Sequence, residues 1–260
     1  MKRLGQLGLF GGRVETDAAI DASSRGRAAA AVAMRLAATD LSNHLACRHV
    51  TTLDLQVARG EREAPQWAAP DLAIIQERGR RHEAAYLEHL AQGKKLEVVN
   101  LGELRDETLL LAKTLELMAR GVEAIAQGAL GDGKWFGRPD VLLRVAANGG
   151  STRGKWEWSY EVVDTKLSRQ TKAGTILQIS LYSELLEKAQ GCAAEWMRVI
   201  PPSAEFAGEA YRVAEYAAYF RYVKERLQDA VKQNGAAHEN GSATYPEPVL
   251  HCDVCRWFKE

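Results

Sequence analysis

The chain has 260 residues, of which 46% are hydrophobic, and its 34 Lys and Arg residues balance 34 Asp and Glu residues at a formal net charge of zero. This length allows one large domain or two small ones with a substantial buried core. The even charge argues against a histone-like polycation, an acidic disordered protein or a polybasic membrane binder, so any nucleic-acid site has to be a local basic patch.

The sequence predicts neither membrane insertion nor secretion. The longest apolar run, residues 28–34, is bounded by Arg27 and Arg35 and is far shorter than the roughly 20 residues that span a bilayer. Lys2 and Arg3 are followed by a glycine-interrupted stretch that does not resemble a signal peptide. We therefore expect a cytoplasmic protein without a membrane partner, in which the four cysteines indicate free thiols or metal ligands.

Residues 1–34 lack a sustained apolar period and predict a flexible segment ahead of a folded domain over residues 35–260. Within this domain, Thr39 and Asp40 cap a short helix over LSNHLACRHV, and apolar spacing predicts a longer helix from Asp71 to about Gln92. LEVVNL (96–101) reads as a strand, and residues 106–127 predict a second long helix that ends just before Gly128.

The second half of the chain alternates strands and helices. WFGRPDVLLRVA and WEWSYEVVDTKLS predict adjacent strands, and a helix over about 171–190 is closed by Gly191. AEWMRVIPP and EAYRVAEY predict two further strands before a last helix over about 214–233. This mixed order predicts an α/β or α+β domain with helices packed on a small mixed sheet.

Acidic residues stand at the ends of the two strands predicted to be adjacent. Asp140 enters the first strand, and Asp164 and Lys166 lie two residues apart at the end of the second, so they share one face. If the strands are neighbours, Asp140 approaches Asp164, and two converging carboxylates need a cation such as Mg²⁺ or Mn²⁺ to offset their repulsion. Such a site could hydrolyse a phosphodiester, with Lys166 acting on the water or on developing charge. The alternative is a turn cap at Asp140 and a surface ion pair between Asp164 and Lys166.

These residues resemble the RecB-like nucleases of the PD-(D/E)XK superfamily, which include CRISPR-associated exonucleases and the nuclease modules of helicase-nucleases. The resemblance runs from about Thr39 to the end of the chain and is strongest at DLSNHLACRH and HCDVCRW. Its motifs are a histidine in GRRHEAAYLEHL, an acid in GRPDVLL, the D-x-K of VVDTKLS and the Q-x-x-x-Y of LQISLY, namely His82, Asp140, Asp164, Lys166, Gln178 and Tyr182.

The resemblance implies a restriction-endonuclease-like core and a metal-dependent nuclease that acts on DNA, as single strands or duplex ends, in DNA repair or processing. In this reading His82, Asp140 and Asp164 bind Mg²⁺ or Mn²⁺, Lys166 assists the water, and Gln178 and Tyr182 support the site. Exonuclease and endonuclease action both stay open. The competing readings are a non-catalytic nucleic-acid-binding module of a larger helicase-nuclease assembly, and a zinc-knuckle protein whose carboxylates are structural.

The resemblance also gives the cysteines a role. In many RecB-like nucleases one early and three late cysteines hold a [4Fe-4S] cluster, and Cys47, Cys252 and Cys255 match three of these four positions. Residues 249–260 are therefore an incomplete C-terminal cysteine motif. Either the fourth ligand, together with a helicase or further C-terminal domain, lies beyond Glu260, or the site binds a different metal or none. Cys192 reads as a small buried residue.

Overall fold

A six-stranded mixed sheet lies at the centre of the fold, with the strand order β2-β3-β6-β7-β8-β9. The computed structural model describes residues 35–67, 69–146, 154–203, 205–236, 244–246 and 248–259. The strands of this sheet are β2 (Val98–Asn100), β3 (Ala124–Ala126), β6 (Val141–Ala146), β7 (Trp158–Thr165), β8 (Trp196–Ile200) and β9 (Glu209–Arg212). A smaller sheet has the order β1-β5-β4 and consists of β1 (Leu36–Ala37), β4 (Leu130–Gly131) and β5 (Trp135–Gly137).

Six α-helices belong to the described part of the chain: α1 (Ala38–Ala46), α2 (Arg48–Ala58), α3 (Leu72–Glu88), α4 (Glu107–Arg120), α5 (Ala173–Gln190) and α6 (Val213–Ala236). A π-helical turn at His89–Gly93 extends α3, and a 3₁₀ turn covers Leu250–Val254 near the end of the chain. None of the described helices has the length and apolarity needed to cross a bilayer. The predicted mixed α+β class is confirmed.

Strands β6 and β7 are antiparallel neighbours, as the sequence predicted. Val141 pairs with Val163 and Leu142 with Val162. Asp140 directly precedes Val141 and Asp164 directly follows Val163, so the same register brings the two acids opposite each other at one end of the strand pair. On the other side of β7, β8 runs parallel to it, and α5 is the connection between these two parallel strands.

The two faces of the sheet are covered by different helices. Even-numbered residues of β7 such as Tyr160 and Val162 lie in a core that also contains Leu177 and Leu181 of α5. The odd-numbered Val163 belongs to a second core with Tyr86 of α3. Because alternate residues of a strand point to opposite faces, β7 lies between α5 and α3 and is buried over nearly its whole length.

Two predicted helices end earlier than the apolar pattern suggested. The helix predicted over residues 106–127 stops at Arg120, because Gly121 takes the left-handed conformation (φ 74°) and closes it, and Ala124–Ala126 is strand β3. The helix predicted over LSNHLACRHV breaks at Cys47, whose extended backbone (φ −156°) separates α1 from α2. The flexible segment predicted over residues 1–34 lies outside the described residues.

Candidate active site

The end of β7 brings together a carboxylate and an ammonium group. Asp164 is fully buried, and one of its carboxylate oxygens forms an ion pair with Nζ of the half-buried Lys166. Both side chains point to the same face because they are two residues apart on extended backbone. The D-x-K spacing thus produces the side-by-side arrangement that the sequence predicted.

Asp140 is held beside this pair by the residue between its two members. Its Oδ2 accepts hydrogen bonds of 2.7 Å from both the backbone N–H and the hydroxyl of Thr165. Asp140 also lies close enough to Asp164 for its negative charge to act on that carboxyl group. The approach of Asp140 to Asp164 therefore follows from the pairing of β6 with β7.

Gln178 and Tyr182 of α5 also reach the site, one helical turn apart. The Gln178 amide Nε2 donates to Oδ1 of Asp164 at 3.3 Å and to the Tyr182 hydroxyl at 3.2 Å. Tyr182 is itself buried against Gly137, where an added Cβ atom would lie 2.4 Å from the tyrosine ring. The Q-x-x-x-Y spacing thus produces a support for Asp164, and Gly137 makes room for it.

Two residues that the sequence interpretation did not select complete the cluster. The amide Nε2 of Gln127 donates to Oε1 of Glu83 at 2.6 Å and to Oδ1 of Asp140 at 3.4 Å, and so joins the two carboxylates. Gln127 follows β3 in the left-handed conformation (φ 53°), which is costly for a residue with a side chain and is often found at functional sites. Its backbone N–H donates to the Asp140 carbonyl, which fixes this conformation.

His82 lies next to Glu83 on α3, but its described contacts are with residues outside the acid cluster. Its Nε2 lies 3.0 Å from the Ile200 carbonyl oxygen, a contact that requires the proton on this nitrogen. Its ring stacks on Phe206, with 5.8 Å between the ring centroids. Adjacent residues on a helix point about 100° apart, so the one that faces the acids is Glu83. The metal-binding role of His82 stays a prediction.

The pKa values of the site residues reflect three acids that lie close together and are partly shielded from solvent. Burial, reinforced by the charge of Asp140, raises the pKa of Asp164 to about 7. The same two causes raise the pKa of Glu83. Burial opposes the charge of Lys166, but the carboxylates of Asp164 and Asp140 outweigh it and raise the pKa of the ammonium group. The cluster therefore favours a cation at its centre.

The donor chemistry of the cluster fits a hard divalent cation. Carboxylate oxygens are the ligands that Mg²⁺ and Mn²⁺ prefer, and Glu83, Asp140 and Asp164 supply them. As placed, however, the described residues contain no group of three His, Cys, Asp or Glu side chains arranged around a single ion. The Lys166 ammonium instead neutralises part of the charge of the carboxylates, and the Gln127 amide joins Glu83 to Asp140 by hydrogen bonds.

Three cysteines come close together where the end of the described chain packs against α2. Cys255 is buried with Val50, Leu53 and Trp257, and Cys47 packs against the same cluster. Burial raises the pKa of Cys255, and the thiol groups of Cys252 and Cys47 raise it further. The residues predicted to share a metal site are thus neighbours, although in their described positions they do not surround an ion.

Comparisons with known proteins leave the geometry as the main support for any function. No protein-family model matches the chain, and no curated protein matches it at a significant level.

Proposed function

We propose that this chain is a metal-dependent nuclease with a RecB-like PD-(D/E)XK core that hydrolyses the phosphodiester bonds of DNA. The observation that carries the proposal is the meeting of Glu83, Asp140 and Asp164 with Lys166 at the end of β7. Buried acids are expensive unless a cation compensates them, and this compensation favours a functional site over an accidental cluster.

Glu83, Asp140 and Asp164 would hold the Mg²⁺ or Mn²⁺ ion. When bound, the metal supplies polarisation of the phosphate and lowers the pKa of a water molecule. Glu83 lies on α3, Asp140 lies directly before β6 and Asp164 lies on β7, so the packing of these elements sets the spacing of the three carboxylates. Sites built on helices and strands hold their ligands more rigidly than sites on loops.

Lys166 would supply the positive charge that the reaction needs beside the metal. Its ammonium group lies against Asp164, from where it can donate to the attacking water or to a phosphoryl oxygen as negative charge develops. Gln178 would act through Asp164 as a positioning residue, because its amide N–H fixes one carboxylate oxygen. Tyr182 supports Gln178 in turn by accepting a hydrogen bond from the same amide.

The test is single-turnover cleavage of end-labelled single-stranded and duplex DNA with Mg²⁺, Mn²⁺ or EDTA. We expect the wild type to cut in either metal and to be inactive in EDTA. Asp140→Asn and Asp164→Asn should abolish cleavage, and Lys166→Met should lower the rate by about 10²–10³-fold while calorimetry still detects Mn²⁺ binding. The end-labelled products also distinguish exonuclease from endonuclease action.

A matched control is available on the same strand. Glu161 is a buried acid of β7 on the opposite face from Asp164, and it pairs with Arg198 at 3.0 Å. Glu161→Gln keeps an acceptor for Arg198 and should leave cleavage unchanged. If a folded Asp164→Asn variant cut DNA at the wild-type rate, the site assignment would be wrong.

We further propose that Cys47, Cys252 and Cys255 bind a metal that holds the C-terminal segment against α2. The protein would act together with a helicase or a further C-terminal domain. Three thiolates do not complete a [4Fe-4S] site, which takes four. Iron, sulfide and zinc analysis of protein purified without oxygen distinguishes a cluster from a zinc knuckle. Equal metal content in wild type and Cys47→Ser would exclude Cys47 as a ligand.

A further inference from the structure

Arg138 is a guanidinium group with unused hydrogen-bonding capacity beside the acid cluster. It lies in the turn between β5 and β6, two residues before Asp140. Its Nη2 donates to the Gln127 carbonyl at 3.2 Å, whereas its Nε is shut off from solvent and has no hydrogen-bond partner among the described residues. A buried N–H without a partner costs free energy, so it needs an explanation.

None of the acidic side chains near Arg138 in the described part of the chain forms an ion pair with it. Glu83 and Glu107 lie close enough for their charges to act on it, but no ion pair joins Arg138 to any carboxylate of the described residues. Glu107 is instead paired with Arg35. A third guanidinium, that of the exposed Arg105, also lies close enough to act on Arg138 and donates to the Gly102 carbonyl.

Arg35, Arg105 and Arg138 therefore lie near Glu107, which is paired with Arg35, and Asp106 adjoins both Arg105 and Glu107 in the sequence. Arg35 also covers the ring of the half-buried Phe136, with its guanidinium carbon 4.4 Å from the ring centroid. A guanidinium without a carboxylate partner beside a cluster of acids fits a ligand that carries negative charge and approaches the cluster from the side of Arg138.

We propose that Arg138 binds a non-bridging oxygen of a backbone phosphate of the bound nucleic acid next to the bond that is cut, with Arg105 extending the contact along the strand. This inference rests on the proposed nuclease function and deepens it. A phosphate oxygen accepts from Nε and a terminal N–H of one guanidinium in parallel, a two-point contact that lysine cannot make. In the proposed complex the Arg138 side chain turns from its described position, so that Nε is no longer shut off from solvent and faces the phosphate. The Nε of Arg138 would gain its missing partner only when nucleic acid is bound.

The experiment measures binding of fluorescent single-stranded DNA by anisotropy, with Ca²⁺ as the metal and over a range of salt concentrations. We compare wild type, Arg138→Gln, Arg138→Lys and the control Arg120→Gln, which removes an exposed arginine at the end of α4. Arg138→Gln should weaken binding about tenfold or more and flatten the plot of log affinity against log salt by about 0.7, the value for one phosphate contact. Arg138→Lys should keep the wild-type slope but bind several-fold more weakly, and Arg120→Gln should bind like wild type.

Cleavage assays then separate binding from chemistry. In Mg²⁺, Arg138→Gln should raise KM more than it lowers kcat, because the contact is made to bound substrate as well as to the transition state. A purely structural role would instead lower the melting temperature and leave the salt slope at the wild-type value, which would overturn the proposal. Wild-type affinity and slope in Arg138→Gln would overturn it as well.

The outcomes also distinguish this inference from the proposed function. If the wild type cleaves DNA and Arg138→Gln binds and cleaves it equally well, the nuclease proposal stands and the phosphate contact is excluded. A wild type that binds DNA through Arg138 but never cleaves it would keep the contact and remove the nuclease. A wild type that does not bind DNA would remove both.

Discussion

The sequence interpretation selected His82 on α3 as a site residue, whereas the geometry selects its neighbour Glu83. It shares a hydrogen-bonding amide with Asp140, whereas the neighbouring His82 is directed to the Ile200 carbonyl. We expect Glu83→Gln to lower the single-turnover cleavage rate by about 10²-fold or more, because removing even an outer partner of a metal ligand typically costs 10–100-fold. Mn²⁺ affinity, measured by calorimetry, should fall in parallel. An unchanged affinity in a folded Glu83→Gln variant would remove Glu83 from the metal site.

Asp40 gives the protein a pH-dependent stability that is independent of the candidate site. Its carboxylate accepts the Ala37 N–H at 2.7 Å at the start of α1, and it faces the acid Asp54 and the cation Arg256. Burial, reinforced by the charge of Asp54, raises the pKa of Asp40 from 3.8 to about 6. Between these values the folded state binds more protons than the unfolded state, so this group makes the protein more stable as the pH falls.

We therefore expect Asp40→Asn to raise the free energy of unfolding at pH 7.5 by up to about 3 kcal/mol, since the amide still accepts the Ala37 N–H but carries no charge. At pH 4 the gain should nearly vanish. Urea unfolding of both proteins at the two pH values measures the difference. A variant no more stable than wild type at pH 7.5 would show that the Asp40 carboxylate is not destabilised by its surroundings.

At the scale of the elements, β5 packs closely against α5, and this contact sets the position of the Tyr182 ring behind the candidate site. A Cβ atom at Gly137 would lie 2.4 and 2.5 Å from two atoms of the Tyr182 ring, and Tyr182 supports the amide that holds Asp164. We expect Gly137→Ala to cost about 1–3 kcal/mol of stability, as overpacking does, and to slow cleavage by displacing the ring. Thermal unfolding and single-turnover assays measure the two effects.

Gly79 of α3 is the matched control for this substitution. It lies inside a helix, and an added Cβ atom would meet nothing within 4 Å. Gly79→Ala should therefore stabilise the protein by about 0.5–1 kcal/mol and leave cleavage intact. If Gly137→Ala behaved in the same way as Gly79→Ala, Tyr182 would have room to move and would not support the site.

The elements themselves were largely predictable from the sequence, and the failures have physical causes. Strand β7 and helix α5 follow from apolar patterns closed by clear signals such as Gly191. Residues 122–127 were misassigned to a helix because VEAIAQ continues the helical apolar spacing, and only the left-handed Gly121 ends it. Propensity is a weak guide where tertiary pairing, here with β6, decides the conformation.

The site was predictable where its residues share one element or lie on strands that the sequence places side by side, as Asp140 and Asp164 do. The spacing of Asp164 with Lys166 and of Gln178 with Tyr182 fixes each pair on a strand or a helix face. The contribution of α3 depends instead on the rotation of that helix about its axis, which its pattern does not reveal, because few of its residues are buried. Gln127 was hidden for a different reason, since its function depends on a backbone conformation that follows a strand predicted as a helix.

At the scale of the whole molecule, Asp54 ties the end of the chain to α2. This buried carboxylate accepts from the Trp257 indole N–H at 2.7 Å and pairs with Arg256, across more than 200 positions of sequence. Asp54→Ala should release the segment 248–259 and lower the stability by about 1–3 kcal/mol, because a buried donor loses its partner. Hydrogen exchange should rise in this segment and in α2 before it rises in β6 and β7.

Asp253 offers a comparison for this change, because it is an exposed acid of the same segment. Asp253→Ala should leave the exchange pattern as it is. Uniformly faster exchange throughout the described chain in Asp54→Ala would mean that the C-terminal segment belongs to the main cooperative unit and not to a separately opening one.

The candidate site takes Glu83 from a helix on one face of the sheet and Gln178 from a helix on the other, and these meet two acids at the end of the strand pair β6 and β7 between them. Such contacts between distant parts of a chain form late in folding, after the entropy of closing long loops has been paid. During refolding from urea, helical circular dichroism should therefore return before the proposed DNA-cleaving activity. Recovery of cleavage would report the final docking of the two helical layers, a step that spectroscopy of secondary structure does not see.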